Sequence, residues 1–214
     1  MIDRPRNLLR SLAAAACLLL AGCGDDAHEQ EAAAPEDAST GREVRVFVGE
    51  LGGSDVKLGA VVAGGRARLF FCGGPTSYAE QTRWLQVELD DRARFELDAD
   101  DWHVRGQLVG GSLSGELEQG AAAPGDFTAE LARTSTLAGL YEGTADCGRV
   151  GLIVSQRDED APATGQGACV GPGHAPEQVN PILPIALEDD GSIRVEVQAD
   201  GALQQARVTA AAPP

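Results

Sequence analysis

Lysine is almost absent from this chain: Lys57 is the sole lysine among 17 basic residues, and 33 acidic residues bring the formal net charge to −16 over 214 residues. A surface of that sign repels phosphate backbones, so nucleic acid is excluded as a partner. Aromatics are scarce at 4% of the chain, and one methionine stands against 27 glycines. That composition argues against a helical bundle, whose helices avoid glycine. No apolar run reaches the ~20 residues that a helix needs to cross a hydrocarbon core. The longest lies between Ser11 and Ala21, where Ser11 is the only polar residue.

Arg4, Arg6 and Arg10 precede that run, and Leu20-Ala21-Gly22-Cys23 closes it. A basic start, a short apolar core and small residues at its end read as an export signal rather than a membrane span. The closing tetrapeptide resembles the lipobox of bacterial lipoproteins. The resemblance implies cleavage after Gly22 and diacylglycerol on Cys23, which makes the membrane itself a partner through that lipid. The competing reading is an ordinary signal peptide with a cysteine there by chance. Cleavage removes three arginines and one aspartate, taking the net charge from −16 to −18. Each buried acyl methylene contributes ~0.8 kcal/mol, so several chains anchor a protein durably.

From Gly24 to Gly41 the chain is acidic, alanine-rich and free of aromatics, the composition of a disordered tether. Gly24, rather than aspartate, follows Cys23, which under the enteric sorting rule favours the outer membrane in an organism that has one. The expected division is a signal peptide over 1–22, a lipidated tether over 23–42 and a single β domain over 43–211.

Within that domain, turn signals recur at the spacing of an antiparallel β fold: Gly52-Gly53-Ser54-Asp55, Gly64-Gly65, Gly73-Gly74-Pro75, Asp90-Asp91, Gly110-Gly111, Pro124-Gly125-Asp126, Asp189-Asp190-Gly191 and Asp200-Gly201. Apolar residues alternate between them, as in Val44, Val46 and Val48, in Trp102, Val104 and Leu108, and in Ile193, Val195 and Val197. Each set lines one strand face. The pattern predicts an all-β fold, a single antiparallel barrel or sandwich with hairpin connections. Thr76–Leu85 has the spacing of a helical turn, and Arg157–Thr164 and Gly171–Asn180 read as long loops.

Phe71-Cys72-Gly73, Trp84-Leu85, Phe127-Thr128-Ala129 and Gly139-Leu140-Tyr141 occur in that order. The series resembles an uncharacterised all-β domain of bacterial secreted proteins and lipoproteins, whose pattern runs Cys-Asp-Gly, Trp-Leu, Phe-Thr-Ala, Gly-Leu-Tyr-Arg. Here Gly73 replaces the aspartate and Glu142 the arginine. The resemblance implies a small β domain with shared core residues and brings no activity with it.

With Cys17 removed and Cys23 lipidated, Cys72, Cys147 and Cys169 remain in a compartment where disulfides persist. Position and count favour a Cys147–Cys169 bridge. Cys72 follows Leu69-Phe70-Phe71 and stands at the lone cysteine position of the resembled family, which suits a buried apolar side chain. The alternatives are a nucleophilic Cys72 with a histidine base and a zinc site drawing on Cys147, Cys169, His174 and His103, whose spacing fits no known finger. His103, between Trp102 and Val104, should point away from the core, beside Arg105. The pairs Asp90-Asp91, Asp98 with Asp100 and Asp101, Asp158-Glu159-Asp160 and Glu188-Asp189-Asp190 suit turns, and none has the ligand order of a calcium loop.

No cofactor is expected. The leading expectation is a non-enzymatic envelope lipoprotein that binds another envelope protein or a glycan. The competitors are a hydrolase using surface carboxylates with His103, and a hollow barrel carrying an apolar ligand.

Overall fold

A computed structural model describes residues 43–120, 125–173, 175–199 and 202–214. The strands divide between two sheets instead of closing as one. β1 (Arg45–Leu51), β2 (Lys57–Ala63), β3 (Arg66–Cys72) and β4 (Arg83–Glu88) form one antiparallel meander, and β5 (Arg94–Ala99), β6 (Trp102–Val109), β7 (Ser112–Gln119) and β8 (Gly125–Leu131) form another. Pairing of β1 with β8 fuses them into one sheet, β4-β3-β2-β1-β8-β7-β6-β5. Its two edge strands follow each other in the chain and approach without a ladder. Arg83 of β4 spans that gap, donating to the Ala99 carbonyl at 3.3 Å and pairing with Asp100, so the eight strands make a nearly closed barrel.

The second sheet consists of β9 (Gly139–Ala145), β10 (Gly148–Ser155), β11 (Thr164–Val170), β12 (Glu177–Pro181), β13 (Ile193–Ala199) and β14 (Ala202–Ala210), and it closes fully, β14 pairing with β9. Closure removes the exposed edges at which sheets aggregate. Glycine pairs set the hairpins: Gly64 and Gly65, between β2 and β3, take φ of +58° and +76°, the left-handed pair of a type I′ turn.

The larger barrel is filled by rings. Phe71 packs edge-on against Trp102 at 5.7 Å and against Phe127 at 5.6 Å between centroids, with Phe47, Leu58, Leu69 and Leu113 around them. The smaller barrel is filled by Val150, Leu152, Val154, Ile193, Val195 and Val197.

A third cluster joins the two barrels: Val61, Phe70 and Cys72 from the first meet Leu140, Ile153 and Ala168 from the second. This seam reverses one sequence expectation. Phe47, fully buried, points into the larger barrel, while Val46 and Val48 face the seam and Val44 is 46% exposed. Strands covered on both sides bury both sets of alternate residues, so alternation alone does not tell which set is the core. The stretch expected as a loop over Gly171–Asn180 contains the start of β12, a short strand whose one fully enclosed side chain is Val179. Over Thr76–Leu85 a single helical turn forms, Gln81 N–H to the Ser77 carbonyl at 2.8 Å, before β4 begins at Arg83.

Candidate functional site

The seam carries the most enclosed charges. Glu142 of β9 pairs with Arg68 of β3 at 3.2 Å and with Arg149 of β10. It also accepts the Ala212 N–H at 2.9 Å. Arg149 lies 3.8 Å above the Trp84 ring, which stacks on Phe70 at 4.3 Å. Burial alone would raise the Glu142 pKa, but the Arg149 and Ala212 hydrogen bonds and the two guanidinium charges outweigh it and hold the carboxyl below its ordinary value. Gln166 of β11 crosses the same seam, donating to the carbonyls of Cys72 at 2.5 Å and Asp55 at 3.0 Å. These contacts cross-link the two barrels. Glu142 is thus the hub between two arginines. Partners 74 residues apart, as Arg68 and Glu142 are, leave no local signal in a sequence.

The second polar surface is the outward face of β5 to β8. Register places Asp98, His103 and Glu118 in one cross-strand row and Glu96, Arg105, Glu116 and Asp126 in the next. His103 Nδ1 lies 2.5 Å from Asp98 and Nε2 lies 3.5 Å from Glu96. The Asp98 hydrogen bond, helped by the surrounding carboxylate charges, raises the imidazole pKa above its ordinary value. Arg105 pairs with Glu116 at 2.6 Å, and at the rim Arg94 pairs with Asp90 at 3.0 Å. A cleft of about 1030 Å³ opens over the second of these rows and the adjoining one of Arg94, Gln107, Ser114 and Thr128, and the His103 row lies outside it.

Its midline is a glycine pair, Gly106 facing Gly115 across β6 and β7. A Cβ there would come within 2.6 Å of the Phe95 ring and 2.5 Å of the Phe127 ring. Glycine is required because those rings lie against the backbone from inside the barrel. The cleft is assembled by register and by a glycine row, which is why motif reading missed it.

Cys147 and Cys169 are disulfide-bonded, linking the β9–β10 turn to the end of β11. That bond consumes both thiols proposed for zinc. Among the described residues no group of three or more His, Cys, Asp or Glu is placed to hold a metal ion. Cys72 is buried on the seam, and burial pushes its thiol up to about 12. It therefore stays protonated at neutral pH, which removes the nucleophile reading. His103 does have an orienting carboxylate, but the next position in its row is Glu118, which supplies a third acid where a triad needs a hydroxyl or thiol.

The remaining acidic residues act mostly as local anchors. Asp90 caps the β4–β5 turn through the Arg92 and Arg94 N–H groups at 2.9 and 2.8 Å. Asp190 accepts from Ser192 and pairs with Arg207 at 2.7 Å, and Glu188 pairs with Arg194 at 2.6 Å. Asp158 pairs with Arg157 at 3.4 Å. In the sequence Asp55 reads only as part of the Gly52-Gly53-Ser54-Asp55 turn. Hydrogen bonds from Ser77 and Thr76 lower its pKa to about 2, and they tie the β3–β4 loop to the first hairpin. Cys17, Cys23, His28 and His174 lie outside the described residues, as do the signal over 1–22 and the tether over 23–42.

Among the described residues no helix is long and apolar enough to cross a membrane. No family model, no curated protein and no solved structure matches the chain.

Proposed function

We propose that this chain is a bacterial envelope lipoprotein, anchored through acyl groups on Cys23, whose double-barrel body binds a partner rather than turning over a substrate. The address rests on the three early arginines, the short apolar core and the Leu20-Ala21-Gly22-Cys23 box, and Gly24 favours the outer membrane. The motif series from Phe71 to Tyr141 supports kinship with uncharacterised secreted β domains.

The observation that carries the binding reading is the charge-lined cleft on β5 to β8. Concave polar surface on a rigid sheet suits recognition. The interiors, by contrast, are occupied by the chain's own side chains, which weighs against an apolar ligand in either barrel. A hydrolase would have to use the His103–Asp98 pair with a nucleophile from elsewhere.

Replacing Cys23 with serine tests the anchor. The expected result is release of the protein from the membrane fraction into the soluble extracytoplasmic one, and mass spectrometry of the wild type should find an acylated cysteine as the first residue. Retention of Cys23→Ser in membranes would overturn lipid anchoring.

A further inference from the structure

We propose that the cleft on the outer face of β5 to β8 docks an extended basic peptide segment of another envelope protein, with one cationic side chain at Glu96 and a second at Asp126. This rests on the reading of the body as an exported binding module and names the chemistry of its partner.

Charge complementarity is the first argument. Five carboxylates line the cleft against two arginines. Both arginines are satisfied within it, Arg94 by Asp90 and Arg105 by Glu116. Glu88, Glu96 and Asp126 have no arginine or lysine partner among the described residues, and Glu96 meets only His103. The cleft therefore presents excess negative charge on a backbone already fixed by a sheet, so a cation binding there orders exposed side chains but no loop.

Spacing is the second. Register puts Glu96, Arg105, Glu116 and Asp126 on four successive strands, so the two end carboxylates are about 14 Å apart at the usual strand separation. No single ion spans that distance. Two residues four apart in an extended peptide are also about 14 Å apart. The segment would lie across the strands, with the paired Arg105 and Glu116 beneath its middle.

The lining also separates a peptide from a glycan. Phe95 and Phe127 are the aromatics of the cleft, and both are buried beneath the sheet, so no exposed ring offers a sugar a flat apolar platform.

The test is fluorescence anisotropy with the full chain in detergent micelles and four labelled probes. These are a Ser/Gly peptide with lysines four apart, the same composition with adjacent lysines, the spaced peptide with glutamates in place of lysines, and chitotetraose. The spaced-lysine peptide should bind best, and added salt should weaken it. The pair Glu96→Gln with Asp126→Asn should weaken it by about fivefold. Asp158→Asn with Asp160→Asn, which makes the same change in net charge on the β10–β11 loop, should leave it within about twofold.

Equal loss in both double variants would reduce the effect to bulk charge and overturn the proposal. So would equal binding of the adjacent-lysine probe, tighter binding of chitotetraose, or no saturation by the spaced peptide. All four charges are exposed, and circular dichroism checks that the variants fold. Failure here leaves the anchored-module reading resting on the Cys23→Ser fractionation, whereas failure of that fractionation leaves these titrations unaffected.

Discussion

All five phenylalanines and both tryptophans of the chain fall in the eight-stranded sheet, whereas the six-stranded barrel has Tyr141 as its one aromatic and holds the Cys147–Cys169 disulfide. The difference follows from size. Eight strands enclose enough space for Phe71 to pack edge-on against Trp102 and Phe127 with Phe47 in the same core, whereas the narrower bore of six suits branched aliphatic side chains. A small core yields less stabilisation, and the bridge offsets this by restricting the unfolded chain. One barrel is held mainly by ring packing, the other by close aliphatic packing and a covalent tie.

The largest test of that contrast truncates a core ring. Phe71→Ala should cost about 3–5 kcal/mol, against about 0.5–1.5 kcal/mol for Ile193→Val in the smaller barrel. Urea unfolding followed by circular dichroism and by tryptophan emission measures both, and equal costs would break the comparison. Next comes removal of the bridge. With 22 residues separating Cys147 from Cys169, the double serine variant should lose about 3 kcal/mol in the chain-entropy model. Trp102 is enclosed in the larger barrel whereas Trp84 lies under Arg149 of the smaller one, so in a Trp84→Phe background this loss should register by circular dichroism before it does by emission. Simultaneous loss by both probes would show that the barrels unfold as one unit.

Smaller still is Glu142→Gln at the seam, expected to cost about 1–2 kcal/mol because two enclosed guanidinium groups lose their anion. The Glu142 pKa is depressed in the folded state. Its contribution is therefore fully present above the ordinary glutamate value of 4.5 and fades as pH falls below that toward the lowered one. Acid titration of the variant should lack that step. The least effect belongs to His103. Its pKa is raised on folding, so its contribution is complete below the ordinary value of 6.5 and is lost as pH climbs through the raised one. His103→Gln should flatten that alkaline drift in thermal unfolding of the larger barrel and leave the smaller one untouched.

Local features were legible in the sequence. Hairpins declared themselves through paired glycines and aspartates, because turns need residues tolerant of positive φ or able to bond nearby N–H groups. The outward orientation of His103 followed from its place between Trp102 and Val104. What alternation could not convey was that strands near the seam are buried on both faces. Alternation therefore points to Val44 and its neighbours rather than to Phe47, and to one barrel where there are two. The cleft and the Arg68–Glu142–Arg149 cluster escaped for a related reason. Their members come from strands far apart in the chain, and only pairing register brings them together.

The final residues also matter to how this protein should be handled. Ala211 N–H donates to the Leu140 carbonyl at 2.9 Å, Ala212 N–H reaches Glu142, and the Ala212 carbonyl accepts from Arg68. The tail thereby works as a stitch through both barrels. Cleavage of the chain just before Ala211 would unpick it, and proline at Ala211 or Ala212 would cut one thread each by removing an N–H.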